Sequence, residues 1–411
     1  MDKISAGDTA WMLISTALVM LMTPGLAFFY GGLVRRKNVL SIMVQCLILV
    51  GVISIQWVLF GYSLAFGPDH WHIIGGLSWV GLHNVGIVPN ANYAPTIPHI
   101  LFMLFQMMFA VITPALIVGA FAERMKFSAF LIFSIVWATI VYDPLAHWVW
   151  GVGGMLRQLG ALDFAGGTVV HINAGAAALA AALVIGKRKG YPDTSPPHNL
   201  PFAILGAALL WFGWFGFNAG SALSAGGVAV SAFASTHLAA GTAAVAWAAM
   251  DWIRTRRPTA LGTISGAVAG LVAITPASGF VTPLGALGIG ALAGLVCYGS
   301  VMWMKGKLGY DDSLDAFGVH GVGGMLGALC TGLWATVAIN SAGANGVFHG
   351  GGKLILWQFI AVVGSFAYSF VLSFGLLKLI DKVVGLRVKP DHESIGLDLT
   401  QHSESAYTVV G

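Results

Sequence analysis

The sequence predicts an all-α polytopic membrane protein. Only 9% of its 411 residues are charged, whereas about 25% is usual in soluble domains. Hydrophobic residues make up 57%. They occur in long uninterrupted runs, each near the roughly 20 residues that a helix needs to cross the hydrocarbon of a bilayer. A soluble fold of this length needs more charge to cover its surface, so we exclude a soluble protein.

Eleven apolar runs predict eleven transmembrane helices. They lie at 9–32, 38–66, 97–121, 127–150, 165–186, 200–220, 227–252, 259–277, 281–304, 315–338 and 353–383. Asp2, Lys3 and Asp8 precede the first run and no cleavage site follows it, so we interpret it as a span rather than a signal peptide. The chain therefore divides into a transmembrane domain, 1–384, and a polar tail, 385–411.

The basic residues predict the orientation of these helices. When the N-terminus is placed outside, all but Lys3, Arg157 and Lys353 of the 20 Lys and Arg residues fall on the inner side. Cytoplasmic loops carry such an excess of positive charge. The prediction is therefore N-out and C-in. The basic residues form short clusters between apolar runs, which does not indicate a nucleic-acid partner.

A similarity between two spans predicts an inverted repeat. The fifth span reads GGTVVHINAGAAAL and the tenth reads AFGVHGVGGMLGAL, so His171 and His320 lie in matching spans. Five spans followed by five predict that the second half is inverted relative to the first, with the eleventh helix outside the repeat. Inverted repeats commonly place the substrate path at their interface. Glycines at small-xxx-small spacing, such as Gly266 and Gly270, predict tight helix packing.

Ionisable residues within the spans are the first candidates for function, because they are costly in hydrocarbon. His171 and His320 are the clearest, and two neutral imidazoles can relay a proton since each has one donor and one acceptor nitrogen. For His147 and His237 a structural hydrogen bond is an equal alternative. Asp143, which we place near the outer end of the fourth span, has no assigned role.

Aromatic residues and a hydroxyl form a second candidate group. Phe105 and Phe109 are four residues apart and share a helix face. Ser221 follows Phe217 by four residues, and Trp150 ends the fourth span. Single aromatic residues in such positions are usually core or interface residues, but several rings with a hydroxyl can hold a cation.

Cofactor-dependent functions have little support in the sequence. The three cysteines, Cys46, Cys297 and Cys330, lie in apolar runs without metal-type spacing, and we expect them to be small buried hydrophobes. No Walker-type loop is present. We therefore predict no enzyme activity, no cofactor and no metal.

Several long motifs occur in an order that resembles the ammonium transporter (Amt/MEP/Rh) family, in its bacterial Amt form. They are FYGGLVRRKNVLS, GAFAERMKFSAF, GALDFAGGTVVHINAG, PPHNLP, WFGWFGFNAGSA and FGVHGVGG, with GLD and AY in the tail. The resemblance covers nearly the whole chain. It implies a homotrimer in the cell (inner) membrane, surrounded by lipid, in which every subunit has its own pore.

The resemblance also implies roles for individual residues. Substrate binding falls to Trp150, Phe109, Ser221 and Phe105, the gate to Phe109 and Phe217, the pore to His171 and His320, and support of the binding site to Asp163. The tail is implied to pack on the cytoplasmic face and to help a PII-type signal protein close the pore.

The sequence thus predicts an ammonium transporter that binds NH4+ at its outer mouth, removes a proton and conducts NH3 past two histidines, with a proton relay along them. Purely electroneutral NH3 passage is the competing mechanism. Three other functions stay open: a haem- or metal-binding membrane protein using both histidines, an ammonium sensor, and a channel for another small neutral solute such as CO2 or water.

Overall fold

A computed structural model describes residues 4–192 and 196–407, which form a helical bundle. Within this part, ten helices are long and apolar enough to cross a membrane, and one apolar helix is shorter. In chain order they are α1 Ala6–Leu33, α2 Arg36–Phe66, α3 His99–Phe121, α4 Phe127–Leu159, α5 Gly167–Ile185, α6 Leu200–Gly220, α7 Gly227–Thr255, α8 Ala260–Ile274, α9 Pro283–Leu308, α10 Phe317–Trp334 and α11 Lys353–Val383. A helical membrane architecture is confirmed.

The short helix is α8, which has 15 residues. It coincides with the eighth predicted span but ends before Pro276, because proline disfavours helical backbone in the residue before it and cannot continue the hydrogen-bond ladder. The number of complete spans, their orientation and the inverted repeat stay predictions.

The outward faces of the bundle are apolar. Ile55 is 62% exposed, Val245 71% and Val371 63%. In water such surface is unfavourable, but against lipid chains it is not. The three cysteines are free and buried, as predicted.

Glycines bring the helices close together. A Cβ atom built on Gly270 or Gly290 would lie 2.5 or 2.4 Å from the carbonyl oxygen of Ala239 in α7. Only glycine permits α8 and α9 to approach α7 this closely. The predicted packing role of these glycines is confirmed.

Helices α5 and α10 cross at a glycine contact. A Cβ on Gly175 would lie 2.2 Å from Cα of Gly321. Each helix begins with a π-helical segment, Gly167–Ile172 in α5 and Phe317–Gly321 in α10. Such segments are frequent at functional sites. The crossing brings the two segments side by side.

One loop adds β structure that the prediction of an all-α chain did not include. Strand β1, Asp69–His70, pairs antiparallel with β2, Ile74–Gly75. The reversal between them uses Trp71 and His72, whose φ angles are 58° and 64°. This hairpin packs over the end of α4 that carries Trp150, and we call that end of the bundle the Trp150 face.

The described part of the tail packs against the opposite end of the bundle, which we call the tail face. It contains α12, Pro390–Ile395, and α13, Leu397–His402. Asn38 Oδ1 accepts from the Leu397 amide at 2.8 Å, and Asp398 Oδ1 accepts from the Ser41 amide at 2.8 Å. These bonds fix the tail to the start of α2.

Candidate functional site: a cavity and a histidine pair

A cavity of about 240 Å³ opens on the Trp150 face. Its lining includes the predicted residues Trp150, Phe109, Ser221 and Asp163. Phe105 does not line it: this ring is fully buried and packs behind Phe109, with ring centroids 4.9 Å apart. Phe105 thus packs against Phe109 without lining the cavity.

The cavity can attract a cation through rings and oxygen atoms. Trp150 and Phe109 meet edge to face with centroids 5.8 Å apart, and each ring face carries a negative quadrupole potential. The Ser221 hydroxyl donates to the carbonyl oxygen of Phe217 at 2.8 Å. Its hydrogen is therefore engaged, and its lone pairs remain to accept from a donor in the cavity.

Asp163 is hydrogen-bonded to the start of α5 and to Trp150, beside the cavity. Its carboxylate accepts hydrogen bonds from the backbone amides of Gly166, Gly167, Thr168 and Val169 and from the Thr168 hydroxyl. Its backbone carbonyl accepts from the Trp150 indole at 3.0 Å. Asp163 therefore caps α5 and fixes the Trp150 ring.

Two phenylalanine rings close the bottom of the cavity. Phe109 and Phe217 lie with centroids 4.3 Å apart and planes tilted by 35°, and each residue is only 1% exposed. Since they are in contact, these rings lie between the cavity and the space beneath.

The two histidines lie directly below the Phe109–Phe217 pair. Their rings are stacked, with centroids 5.3 Å apart and planes 17° apart, and Nδ1 of His320 is 3.3 Å from Nδ1 of His171. The His171 ring also stacks on Phe217 at 6.0 Å and on Trp214 at 5.4 Å. The matching spans therefore do bring the predicted pair together.

The Nδ1–Nδ1 contact defines the proton arrangement of the pair. When both rings are neutral, one Nδ1 carries the hydrogen and donates it, while the other accepts and its ring is protonated at Nε2. The space beside the rings is about 10 Å³ and is lined, apart from the histidines, by apolar side chains. This is room for about one water-sized molecule.

Gln106 is a cavity residue that was not predicted from the sequence. Gln106 lines it, and its Oε1 is buried without a partner in the described part of the chain. The signal was a polar residue in the apolar run LFQMMFA, three residues before Phe109. Trp214, which stacks on His171, was hidden among the aromatic residues of WFGWFGF.

The three residues with open roles lie away from the cavity. His147 is fully buried, with Nδ1 3.0 Å from the Ala65 carbonyl oxygen and Nε2 2.9 Å from Asp69 Oδ1. Asp143 is buried between α2 and α4 and accepts from Gln56 Nε2 at 2.7 Å. His237 is exposed on the side of the bundle against Trp211.

The chain is similar to known proteins over nearly its whole length. Residues 10–407 match the Ammonium Transporter Family. The chain is 55% identical over 401 residues to "Ammonium transporter" of Bacillus subtilis, which covers 98% of both proteins. Crystallised Mep2 of Saccharomyces cerevisiae has a TM-score of 0.88 at 36% identity, covering 95% of this chain and 89% of that chain. A structure described as "Sensor Amt Protein" gives 0.88 at 31% identity, covering 96% and 98%.

Proposed function

Since this chain belongs to the Ammonium Transporter Family, we propose that it binds NH4+ in the cavity on the Trp150 face, removes a proton there and conducts NH3 past His171 and His320. The family is one of transporters rather than enzymes, and the ten apolar helices are those of a multi-pass membrane protein. The observation that supports this mechanism best is the histidine pair in a narrow apolar space directly below an aromatic gate.

The cost of desolvation favours splitting the ion. Carrying an intact cation into an apolar space exposes it to a low dielectric, which costs far more than transferring a neutral molecule. In the cavity, by contrast, each aromatic face offers roughly 0.5–2 kcal/mol to a desolvated cation, and Ser221 and Gln106 offer oxygen acceptors. The cavity suits NH4+, whereas the space below the gate suits NH3.

The proton needs its own route. An imidazole can accept a proton on one nitrogen and release another from the second. Because Nδ1 of His171 faces Nδ1 of His320 at 3.3 Å, a proton arriving on either ring can pass to the other. We therefore propose that the pair relays the proton, which makes transport electrogenic.

Two measurements test this function. Methylammonium uptake into vesicles should be high for the native protein and close to background for His171→Ala. Uptake that is unchanged in this variant would contradict a pore past the pair. Ammonium-evoked current on reconstituted membranes then separates the mechanisms, because electroneutral NH3 passage gives uptake without current.

Other candidate functions are separated by the same measurements or by the size of the space at the histidine pair. The likeness to "Sensor Amt Protein" supports an ammonium sensor as the second candidate, and a sensor would bind ammonium with little flux. A haem at the pair would need far more room than the about 10 Å³ beside the rings. A channel for CO2 or water would conduct its solute without ammonium-evoked current.

We propose further that the protein lies in the cell (inner) membrane, with the Trp150 face on the outer side and the tail face in the cytoplasm. Three copies assemble in the lipid as a homotrimer. Basic residues including Arg35, Arg124 and Arg188 cluster at the tail face, where Arg35 and Arg188 both pair with Glu123 and the Arg124 carbonyl accepts from the Val388 amide. Arg387 pairs with Glu393 at 2.8 Å, and Glu393 also accepts from the Lys189 amide at 2.7 Å, so the tail is bonded to the connection after α5.

A tail fixed in this way offers a surface through which a PII-type signal protein could close the pore. Deletion of 385–411 should leave a folded transporter that such a protein no longer inhibits. This role would be contradicted if the PII-type protein still bound the truncated protein equally well and still inhibited its flux.

A further inference from the structure

Asp163 and His171 have counterparts in the second half of the chain. His171 follows Asp163 by eight residues, and His320 follows Asp312 by eight residues. Each carboxyl group binds the start of the π-helical segment that carries its histidine. Asp312 Oδ2 accepts from the Phe317 amide at 2.7 Å. The two carboxyl groups thus occupy equivalent positions at opposite faces of the bundle.

The two carboxyl groups differ in how fully they are bonded. Both oxygens of Asp163 accept hydrogen bonds. Asp312 is 0% exposed, and its Oδ1 has no partner in the part of the chain that the structure describes. A buried acceptor without a partner is costly, more so when it is charged. A proton on Oδ1 removes most of that cost.

The surroundings of Asp312 allow this proton to be taken up and released. Charged and titratable groups face it from several elements: Lys305, Asp315, Arg124, Tyr310 and Tyr30. Burial raises the pKa of Asp312 to about 6; the Lys305 charge opposes this, and the Asp315 charge adds to it. A carboxyl group with that pKa is suited to proton transfer near neutral pH.

We propose that Asp312 accepts the proton that leaves the pore at His320. His320 lies in the same π-helical segment, three residues beyond Phe317, whose amide Asp312 binds. In the step, an N–H bond of the His320 imidazolium breaks and an O–H bond forms on Asp312, directly or through one water. The proton then passes to solvent at the tail face. This inference rests on the proposed function, because it requires a proton to travel along the histidine pair.

Asp312→Asn separates this role from helix capping. Asparagine caps a helix as well as aspartate does, but it cannot hold the proton. We expect the variant to fold, with native yield and gel-filtration profile, while its ammonium-evoked current between pH 5 and 8 falls on the order of 100-fold. Asp391→Asn, a change of an exposed acid in the tail, should leave the current unchanged.

The outcomes distinguish this inference from the proposed function. Native current at every pH in Asp312→Asn would show that Asp312 only caps α10, and the exit role would be overturned while the pore stands. Absence of current from the native protein would overturn the relay and the exit role together. If Asp312→Asn does not fold, Asp312→Ser, another good helix cap without a carboxyl group, takes its place and is judged in the same way.

Discussion

Gly175 and Gly321 are in direct backbone contact where α5 and α10 cross, and a Cβ on Gly175 would lie 2.2 Å from Cα of Gly321. The contact lies one turn beyond His171 and next to His320 in sequence. The distance between the imidazole rings therefore depends on two residues that have no side chain.

The first prediction concerns this contact. Gly175→Ala should push α5 away from α10, because the atoms it meets are backbone atoms that cannot rotate aside. We expect a loss of about 1–3 kcal/mol in stability and a fall of methylammonium uptake to near background. Melting in detergent and vesicle uptake measure the two effects. Gly364→Ala in α11, where an added Cβ meets nothing within 4 Å, is the matched control, and an equal effect of both variants would refute the explanation.

The second prediction concerns Ser221. Removal of its hydroxyl takes away an acceptor for the cation that we propose binds in the cavity, and a hydrogen bond to a charged group contributes about 1.5–3 kcal/mol. Ser221→Ala should raise the ammonium concentration for half-maximal transport about tenfold or more, with a smaller effect on the maximal rate. Concentration dependence of uptake measures this. Ser224→Ala, nearby in the same loop, should behave as the native protein, and the idea fails if Ser221→Ala does so too.

The third prediction concerns His147. Its ring has an acceptor on each side, the Ala65 carbonyl and the Asp69 carboxylate, and together they tie α4 to the end of α2 and to the hairpin. His147→Ala removes both contacts of this buried ring and should lower stability by about 1–3 kcal/mol. His83→Ala, at an exposed position, should not. A native melting temperature for His147→Ala would show that these bonds contribute nothing.

The fourth prediction concerns pH and Asp312, whose pKa rises from 3.8 to about 6 on burial. The folded protein binds this proton more tightly than the unfolded chain. The stabilisation is therefore fully present below about pH 4 and is lost as pH rises to 6, by at most about 3 kcal/mol. The melting temperature of Asp312→Asn, relative to that of the native protein, should therefore rise between pH 4.5 and pH 8. A difference that does not change with pH would contradict the assignment.

Much of this arrangement could be predicted from the sequence, because the hydrocarbon restricts what an apolar run can do. The helical architecture followed from the lengths of the runs, and the pairing of His171 with His320 followed from their matching spans. Their separation of 3.3 Å did not, since it depends on how closely two backbones approach.

Other features were missed for physical reasons. Asp143 had no role assigned from the sequence, because hydropathy does not tell which face of a helix a residue occupies; the structure pairs it with Gln56. Phe105 shares a helix face with Phe109, yet lies behind it rather than in the cavity. Asp312 lies in a polar connection, where the pattern of apolar runs carries no information. Its only sequence signal is that it precedes His320 by eight residues, as Asp163 precedes His171.

Because the two Nδ1 atoms share one hydrogen, the tautomers of the histidine pair depend on whether a proton has already passed along it. In the proposed relay, once a proton has crossed from His171 to His320, each ring carries its hydrogen on the nitrogen opposite to the one that carried it at the start. A second proton from the same side then meets a pair whose donor and acceptor are reversed. Each turnover must therefore include a step that restores the starting tautomers, and that reset sets an upper limit on how fast charge can follow the ammonia.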